Sequence, residues 1–186
     1  SEFFRNLLQS NGVYLREGVG LDQILGDTSV TGAILTDGTM LDLDFLIAGI
    51  GITPATSLAQ ATGLAIDNGI KTDALGQTSD PHIWAENMLG AARPYCPMPW
   101  FWSDQYDVKL QIAGLNTGYD RVITRAGGKP DAISFWYYQK TTLLAVDAAN
   151  DPRAYMIGKR LIETGISPAP ATIADPQTDL KGLLRP

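Results

Sequence analysis

The sequence predicts two architectures in one chain: an α/β portion over residues 1–93, then an α+β portion over 94–186, an antiparallel sheet with helices. Three observations predict this. Leu43-Asp44-Phe45-Leu46-Ile47-Ala48 is almost continuously apolar, as a strand covered on both faces is, and it runs directly into Gly49-Ile50-Gly51-Ile52-Thr53-Pro54. From residue 106 onward, four strand-like runs (Val108–Ala113, Arg121–Arg125, Ala132–Tyr138 and Leu143–Val146) alternate with turn formers such as Ala126-Gly127-Gly128-Lys129-Pro130. Finally, residues 152–164 read as a helix, with proline at its start behind an Asn150 or Asp151 cap and Gly165 just past its end.

In chain order, Phe3, Phe4, Leu7 and Leu8 fall at helical spacing, and Asn11-Gly12 closes that helix. Val13 to Arg16 reads as a strand. Ala33-Ile34-Leu35 and Leu41 to Ala48 flank Asp37-Gly38, a hairpin signal. Ser57 to Thr62 is a short helix capped by Gly63, and Asp67-Asn68-Gly69 turns a second hairpin between Leu64–Ile66 and Ile70–Thr72. His82 to Ala85 reads as a buried strand after the Asp80-Pro81 turn, and Glu86 to Gly90 as the last turns of a helix. The tail, with Pro168, Pro170 and Pro176, is extended, with a last helical turn near Leu180–Leu184. No internal repeat is evident.

Composition narrows the function. With 45% hydrophobic and 18% charged residues the chain is globular. No apolar run reaches the length of a membrane span, and Ser-Glu-Phe-Phe-Arg-Asn lacks the marks of a signal peptide, so the expected setting is cytoplasmic. One cysteine, Cys96, forms neither an intrachain disulfide nor a Cys-x-x-Cys pair and reads as a small buried or half-buried residue. His82 is the sole histidine, which rules out a Ser-His-Asp triad and a histidine-rich metal site. The net charge of −6 is uneven: residues 1–93 hold four basic and eleven acidic side chains, residues 94–186 ten and nine. That balance suits no nucleic acid, while the more basic second half is better placed to meet an acidic protein, or is simply a solvated mixed surface.

The most informative stretch is Pro97-Met98-Pro99-Trp100-Phe101-Trp102-Ser103-Asp104-Gln105. Three aromatics behind two prolines set flat, rigid surface at a sheet edge, which suits stacking on a planar cofactor; the same residues also fit an apolar cluster where a strand enters a core. Asp104 and Asp107 read as loop caps. Phe135-Trp136-Tyr137-Tyr138 fits a strand with a wet edge or an interface face. Gly49, Ile50 and Gly51, at the carboxyl end of a buried strand, let backbone approach a nucleotide or make a tight structural turn. Neither this segment nor Gly18-Val19-Gly20 completes Gly-x-Gly-x-x-Gly.

The run Pro99 to Gln105, followed by Leu110-Gln111-Ile112-Ala113-Gly114-Leu115, Gly118-Tyr119-Asp120 and Leu144-Ala145-Val146-Asp147-Ala148-Ala149-Asn150, resembles the C-terminal domain of the FAD-dependent ferredoxin reductases. These are the NADH-linked flavoproteins that feed [2Fe–2S] ferredoxins in bacterial P450 and dioxygenase systems. The resemblance implies a piece of a two-dinucleotide-binding-domain flavoprotein: residues 1–56 the end of the NAD domain, 57–93 the return into the FAD domain, and 94–186 the C-terminal domain. Its implied cofactors are FAD and NAD, and its partners NADH and a [2Fe–2S] ferredoxin. Trp102 matches the tryptophan beside the flavin on the acceptor side, Trp100 and Phe101 anchor its loop, and Gln105 with Ser103 offers hydrogen bonds to the pyrimidine edge.

The family also carries an Ala-Gly-Asp segment and a long helix after the strand that ends in Trp84-Ala85. Here Ala85 meets the end of that helix directly, so a gap of a few tens of residues is expected between 85 and 86. Without the fingerprints and that aspartate, the chain alone is expected to be inactive. The resemblance leaves open a rubredoxin reductase or an apoptosis-inducing-factor-like flavoprotein, and, from another class, a non-catalytic docking module. The missing cysteine pair argues against a disulfide reductase.

Overall fold

The computed structural model describes residues 2–83 and 93–184, and the chain divides into two compact units, residues 1–58 and 59–186.

The first unit opens with α1 (Glu2–Ser10), closed as expected by Gly12 with φ of +81°. A small antiparallel sheet follows in the order β1 (Leu21–Leu25), β2 (Gly32–Leu35), β3 (Met40–Asp42). The Asp37-Gly38 turn joins β2 to β3: Asp37 accepts the Thr39 backbone N–H at 2.9 Å, and this bond holds its carboxyl below the ordinary value. Strand β1 was not apparent in the sequence because a register shift between Leu21 and Gln23 breaks its alternation. Two expectations fail in this unit. Val13–Arg16 forms no strand, and β3 stops at Asp42, so residues 43–56 have no regular secondary structure. Phe45 and Ile47 are exposed. A strand built to be covered on both faces has no ladder partners within this unit, and only Leu43 and Leu46 of its large apolar side chains are partly covered.

The second unit opens with α2 (Ser57–Ala61), whose first two residues belong to the preceding unit, and an isolated Ile66–Ile70 bridge. Asn68 and Gly69 take positive φ in that turn, as an Asn-Gly hairpin requires. His82 and Ile83 are not in a strand. The readings of Trp84–Ala85 as strand and Glu86–Gly90 as helix, and the junction between 85 and 86, lie outside the described residues.

The body of this unit is a five-stranded antiparallel sheet in the order β4-β5-β8-β7-β6, formed by β4 (Trp100–Gln105), β5 (Val108–Gly114), β6 (Arg121–Ala126), β7 (Ile133–Gln139) and β8 (Thr142–Ala149). The helix α3 (Pro152–Glu163) packs across β8 and β5. Asp151 caps it by accepting the Ala154 N–H at 3.0 Å, and Pro152 sits in the first turn. Its buried residues, Ala154, Ile157, Gly158 and Leu161, repeat at the helical period and define its inner face. They meet Trp136, Val146 and Ala148 from the sheet, together with Ile173 and Leu180 from the tail.

Half of the aromatic run of β7 is therefore core and not a wet edge, while Phe135 and Tyr137 lie on the opposite face of the sheet. Trp136 and Tyr138 are fully buried, with the Trp136 indole N–H donating to Ser134 Oγ at 3.0 Å and the Tyr138 hydroxyl to the Pro168 carbonyl at 3.0 Å. Burial pushes Tyr138 up to about 12. The tail is more ordered than its prolines imply. It forms α4 (Pro170–Ala174), and the expected last turn is 3-10 over Leu180–Leu184. Buried Arg125 secures it, donating to the carbonyls of Ile173, Asp175, Pro176 and Thr178. Cys96, expected to be buried or half-buried, is exposed in a segment without regular structure.

Candidate functional site: an exposed indole pair beside a basic helix

The aromatic block is itself the edge strand. Trp100 to Gln105 form β4, paired antiparallel with β5 so that Trp100 faces Ala113, Phe101 faces Ile112 and Trp102 faces Gln111. Opposed residues share a face and neighbours along a strand alternate. Ala113 in turn faces Val146, which packs on α3. Trp100 and Trp102 consequently project on the helix side of the sheet, while Phe101, Ser103 and Gln105 project on the other.

None of the three aromatics joins the core: Trp100 is 57% exposed, Phe101 58% and Trp102 55%. Lys159 from α3 places its ammonium 5.9 Å from the Trp100 ring centroid, within cation–π reach. Lys159 also lies 3.9 Å from Glu163.

Beyond Lys159, the outer surface of α3 and the final 3-10 turn form an open groove of about 900 Å³, floored by Tyr155, Met156 and Leu184 and bordered by Arg153, Arg160 and Lys181. Arg153 pairs with Asp179 at 2.7 Å and Arg160 with Glu163 at 3.6 Å, so part of this charge is met within the unit. The specific cluster was missed from sequence, although the basic excess of the second half was its signal.

The other expected site residues lie elsewhere. Gln105 is on the opposite sheet face from Trp102, with its amide 3.5 Å from Ser103 Oγ. Gly49, Ile50 and Gly51 belong to the first unit, in an exposed stretch without regular structure, and Gly51 has φ of +101°. A Cβ built on either glycine meets nothing within 4 Å.

One hydrogen-bonded hub fixes the aromatic hairpin. Asn150, at φ of +51°, accepts the Lys109 N–H at 2.8 Å through its side chain and donates to the Asp107 carbonyl at 3.3 Å and to Asp131 at 3.0 Å. Its own N–H donates to the Lys109 carbonyl at 2.9 Å.

The perturbed titratable pair sits on the sheet face away from α3. The Tyr137 hydroxyl donates to Asp147 Oδ2 at 2.8 Å, and burial raises both groups above their ordinary values. Among the described residues no group of three or more metal-ligating side chains is present, and no helix is long and apolar enough to cross a membrane.

Comparisons with known proteins agree with this architecture. Residues 100–184 match the reductase C-terminal family model, and residues 1–86 the pyridine nucleotide-disulphide oxidoreductase model. Putidaredoxin reductase CamA of Pseudomonas putida is 33% identical over 99% of this chain and 52% of its own length. Rhodocoxin reductase of Rhodococcus erythropolis is 29% identical over 97% of this chain and 50% of its own. The crystal structure of the ferredoxin reductase for the CYP199A2 system of Rhodopseudomonas palustris superposes with a TM-score of 0.93 at 30% identity, covering 100% of this chain and 54% of that one. The covalent putidaredoxin reductase–putidaredoxin complex gives 0.86 at 32%, covering 98% and 52%. The chain spans about half the length of the curated relatives it matches. On these matches, residues 1–86 are similar to the pyridine nucleotide-disulphide oxidoreductases and residues 100–184 to the reductase C-terminal domain.

Proposed function

We propose that these residues are part of a flavoprotein that passes electrons from NADH through FAD to a [2Fe–2S] ferredoxin, with the indole pair at the exit. The observation that carries this reading is the exposed Trp100–Trp102 edge on the same sheet face as the basic groove of α3. The groove offers positive charge around an apolar floor, which suits an acidic carrier protein. An indole held at a rigid strand edge excludes water from a flat ring on one side and meets the docked carrier on the other. The names of the relatives support ferredoxin as that carrier.

FAD, when bound, accepts a hydride from NADH and gives up electrons one at a time. This chain's residues supply surroundings for that chemistry. Trp102 forms the wall, Lys159 and Asn150 hold the hairpin that presents it, and Gln105 faces away from that wall. Gly49, Ile50 and Gly51 are the proposed nucleotide-facing turn of the NAD portion. The 186 residues contain no Gly-x-Gly-x-x-Gly, so a pyrophosphate cradle of that kind is not among them. We place domain limits at 56/57 and 93/94, and the sequence gap between 85 and 86. The latter is supported by an alignment with putidaredoxin reductase of 219 positions against this chain's 186 residues, and by a family match that stops at residue 86. A cytoplasmic setting accords with NADH as donor.

The test uses the flavin-loaded protein that carries these residues. Trp102→Ala lowers NADH-driven ferredoxin reduction at least tenfold while ferricyanide reduction, which needs no docked protein, stays within about twofold of the parent. Equal loss with both acceptors, or no loss, overturns the assignment of Trp102. A colourless protein that still binds ferredoxin would instead establish the docking-module reading.

A further inference from the structure

The basic groove beside the indoles carries its own counter-charge. Four cations border it: Arg153, Lys159, Arg160 and Lys181. Three of them already hold a carboxylate of the same chain. Arg153 lies 2.7 Å from Asp179 Oδ1. Glu163, the last residue of α3, divides its oxygens, with Oε1 3.9 Å from Lys159 and Oε2 3.6 Å from Arg160. Lys159 in turn stands over the Trp100 ring. The two carboxylates bring the net charge of this surface to +2, where the four cations alone would give +4.

Stability does not account for the arrangement. Exposed ion pairs add little to it, because water and salt screen the charges and fixing two long side chains costs entropy. Glu163 also sits at the C-terminal end of α3, where the helix dipole disfavours negative charge. The weakness of such pairs makes them easy to exchange: a carboxylate from a docking protein can replace Asp179 or Glu163 with little net change in energy. Each internal carboxylate thus lowers the hold of the groove on an acidic partner without removing a cation. Asp179 has one further bond, from the Lys181 N–H to its Oδ1 at 3.2 Å, which an asparagine oxygen also accepts.

We infer that Glu163 and Asp179 are specificity-determining residues that temper docking: they occupy the cations an acidic electron carrier needs, and so keep its binding weak and rapidly reversible. The inference rests on the proposed reading of this surface as the exit to a [2Fe–2S] ferredoxin. NADH yields two electrons and a [2Fe–2S] carrier takes one, so two carriers must dock and leave for each NADH oxidised. With all four cations open, each carrier would stay longer and its departure would limit turnover.

The test measures reduction of putidaredoxin, the carrier in the superposed complex, by the flavin-loaded protein that carries these residues, over a range of salt concentrations. Glu163→Gln and Asp179→Asn each lower KM for putidaredoxin about threefold at roughly 20 mM salt, and together about tenfold, with kcat falling as release slows. The gain disappears at about 1 M salt, where the screening length is about 3 Å. In an Arg153→Gln background, which itself raises KM, Asp179→Asn no longer lowers it, because the cation it covers is gone. An unchanged or raised KM in the two carboxylate variants overturns the inference and leaves the docking reading in place. So does a lowered KM that persists in high salt or in the Arg153→Gln background. Arg153→Gln and Lys159→Gln variants whose KM and salt dependence match the parent, or no putidaredoxin reduction at all, overturn the docking reading and this inference with it.

Discussion

Asp147 and Tyr137 share a single proton-bearing hydrogen bond in a setting that disfavours charge on either. Burial is the main cause for both, and the bond between them raises Tyr137 further while partly offsetting the rise at Asp147. The sign for stability follows. A carboxyl raised above its unfolded value favours the folded chain fully in acid, and that contribution is lost as pH rises through the raised value. Asn does not titrate. The denaturation midpoint of the parent should thus fall relative to Asp147→Asn between about pH 4, near the ordinary carboxylate value, and neutrality. Parallel curves would contradict it. Arg125 is a second residue whose weight shows only in three dimensions. Replacing it by Leu leaves four tail carbonyls without their donor, an expected loss of roughly 3 kcal/mol measured by chemical denaturation. Neither residue stood out in the sequence, because each is defined by partners far along the chain. The indoles did stand out, because three aromatics behind two prolines are unusual chemistry wherever they fold.

At the scale of elements, α3 and the hairpin β4–β5 carry the site. Gly158 faces the sheet so closely that an added Cβ would lie 2.6 Å from Val146 Cγ2. Gly158→Ala gains up to about 1 kcal/mol of helix propensity yet should destabilise the chain by 1–3 kcal/mol or so, because the whole helix must lift from β8. A rise in Tm would refute this. Asn150→Ala removes three side-chain hydrogen bonds, two that tie the β4–β5 turn to the segment before α3 and one to Asp131 in the β6–β7 connection. It should cost about 1–3 kcal/mol and speed amide exchange at Lys109, which loses its acceptor. Alternation and turn chemistry made β5 to β8 and α3 legible before the structure. They failed at β4, whose aromatic block looked like a loop ahead of a strand, because residues on both faces of an exposed edge are apolar and no period of two appears. They failed in the opposite direction at Leu43–Ala48, where a strand's composition is present but its ladder partners are not.

For the whole molecule, two units of different kinds follow one another, and the order of motifs along the second carried the resemblance to ferredoxin reductases before any contact was known. What the sequence left unread was sidedness. Only the register of β4 against β5 separates Trp100 and Trp102 from Phe101 and Gln105, and only the packing of α3 puts basic charge beside the indoles. The proposed electron transfer therefore depends on which face of the sheet would meet an acceptor. The direct measurement is paramagnetic broadening of the isotope-labelled chain by a bound [2Fe–2S] ferredoxin. The account predicts broadening of the Trp100 and Trp102 indole N–H signals and of the Lys159 and Lys181 amides, with the buried Trp136 indole much less affected. Broadening centred on Phe101, Ile112 and Phe135, or none at saturating ferredoxin, would contradict it.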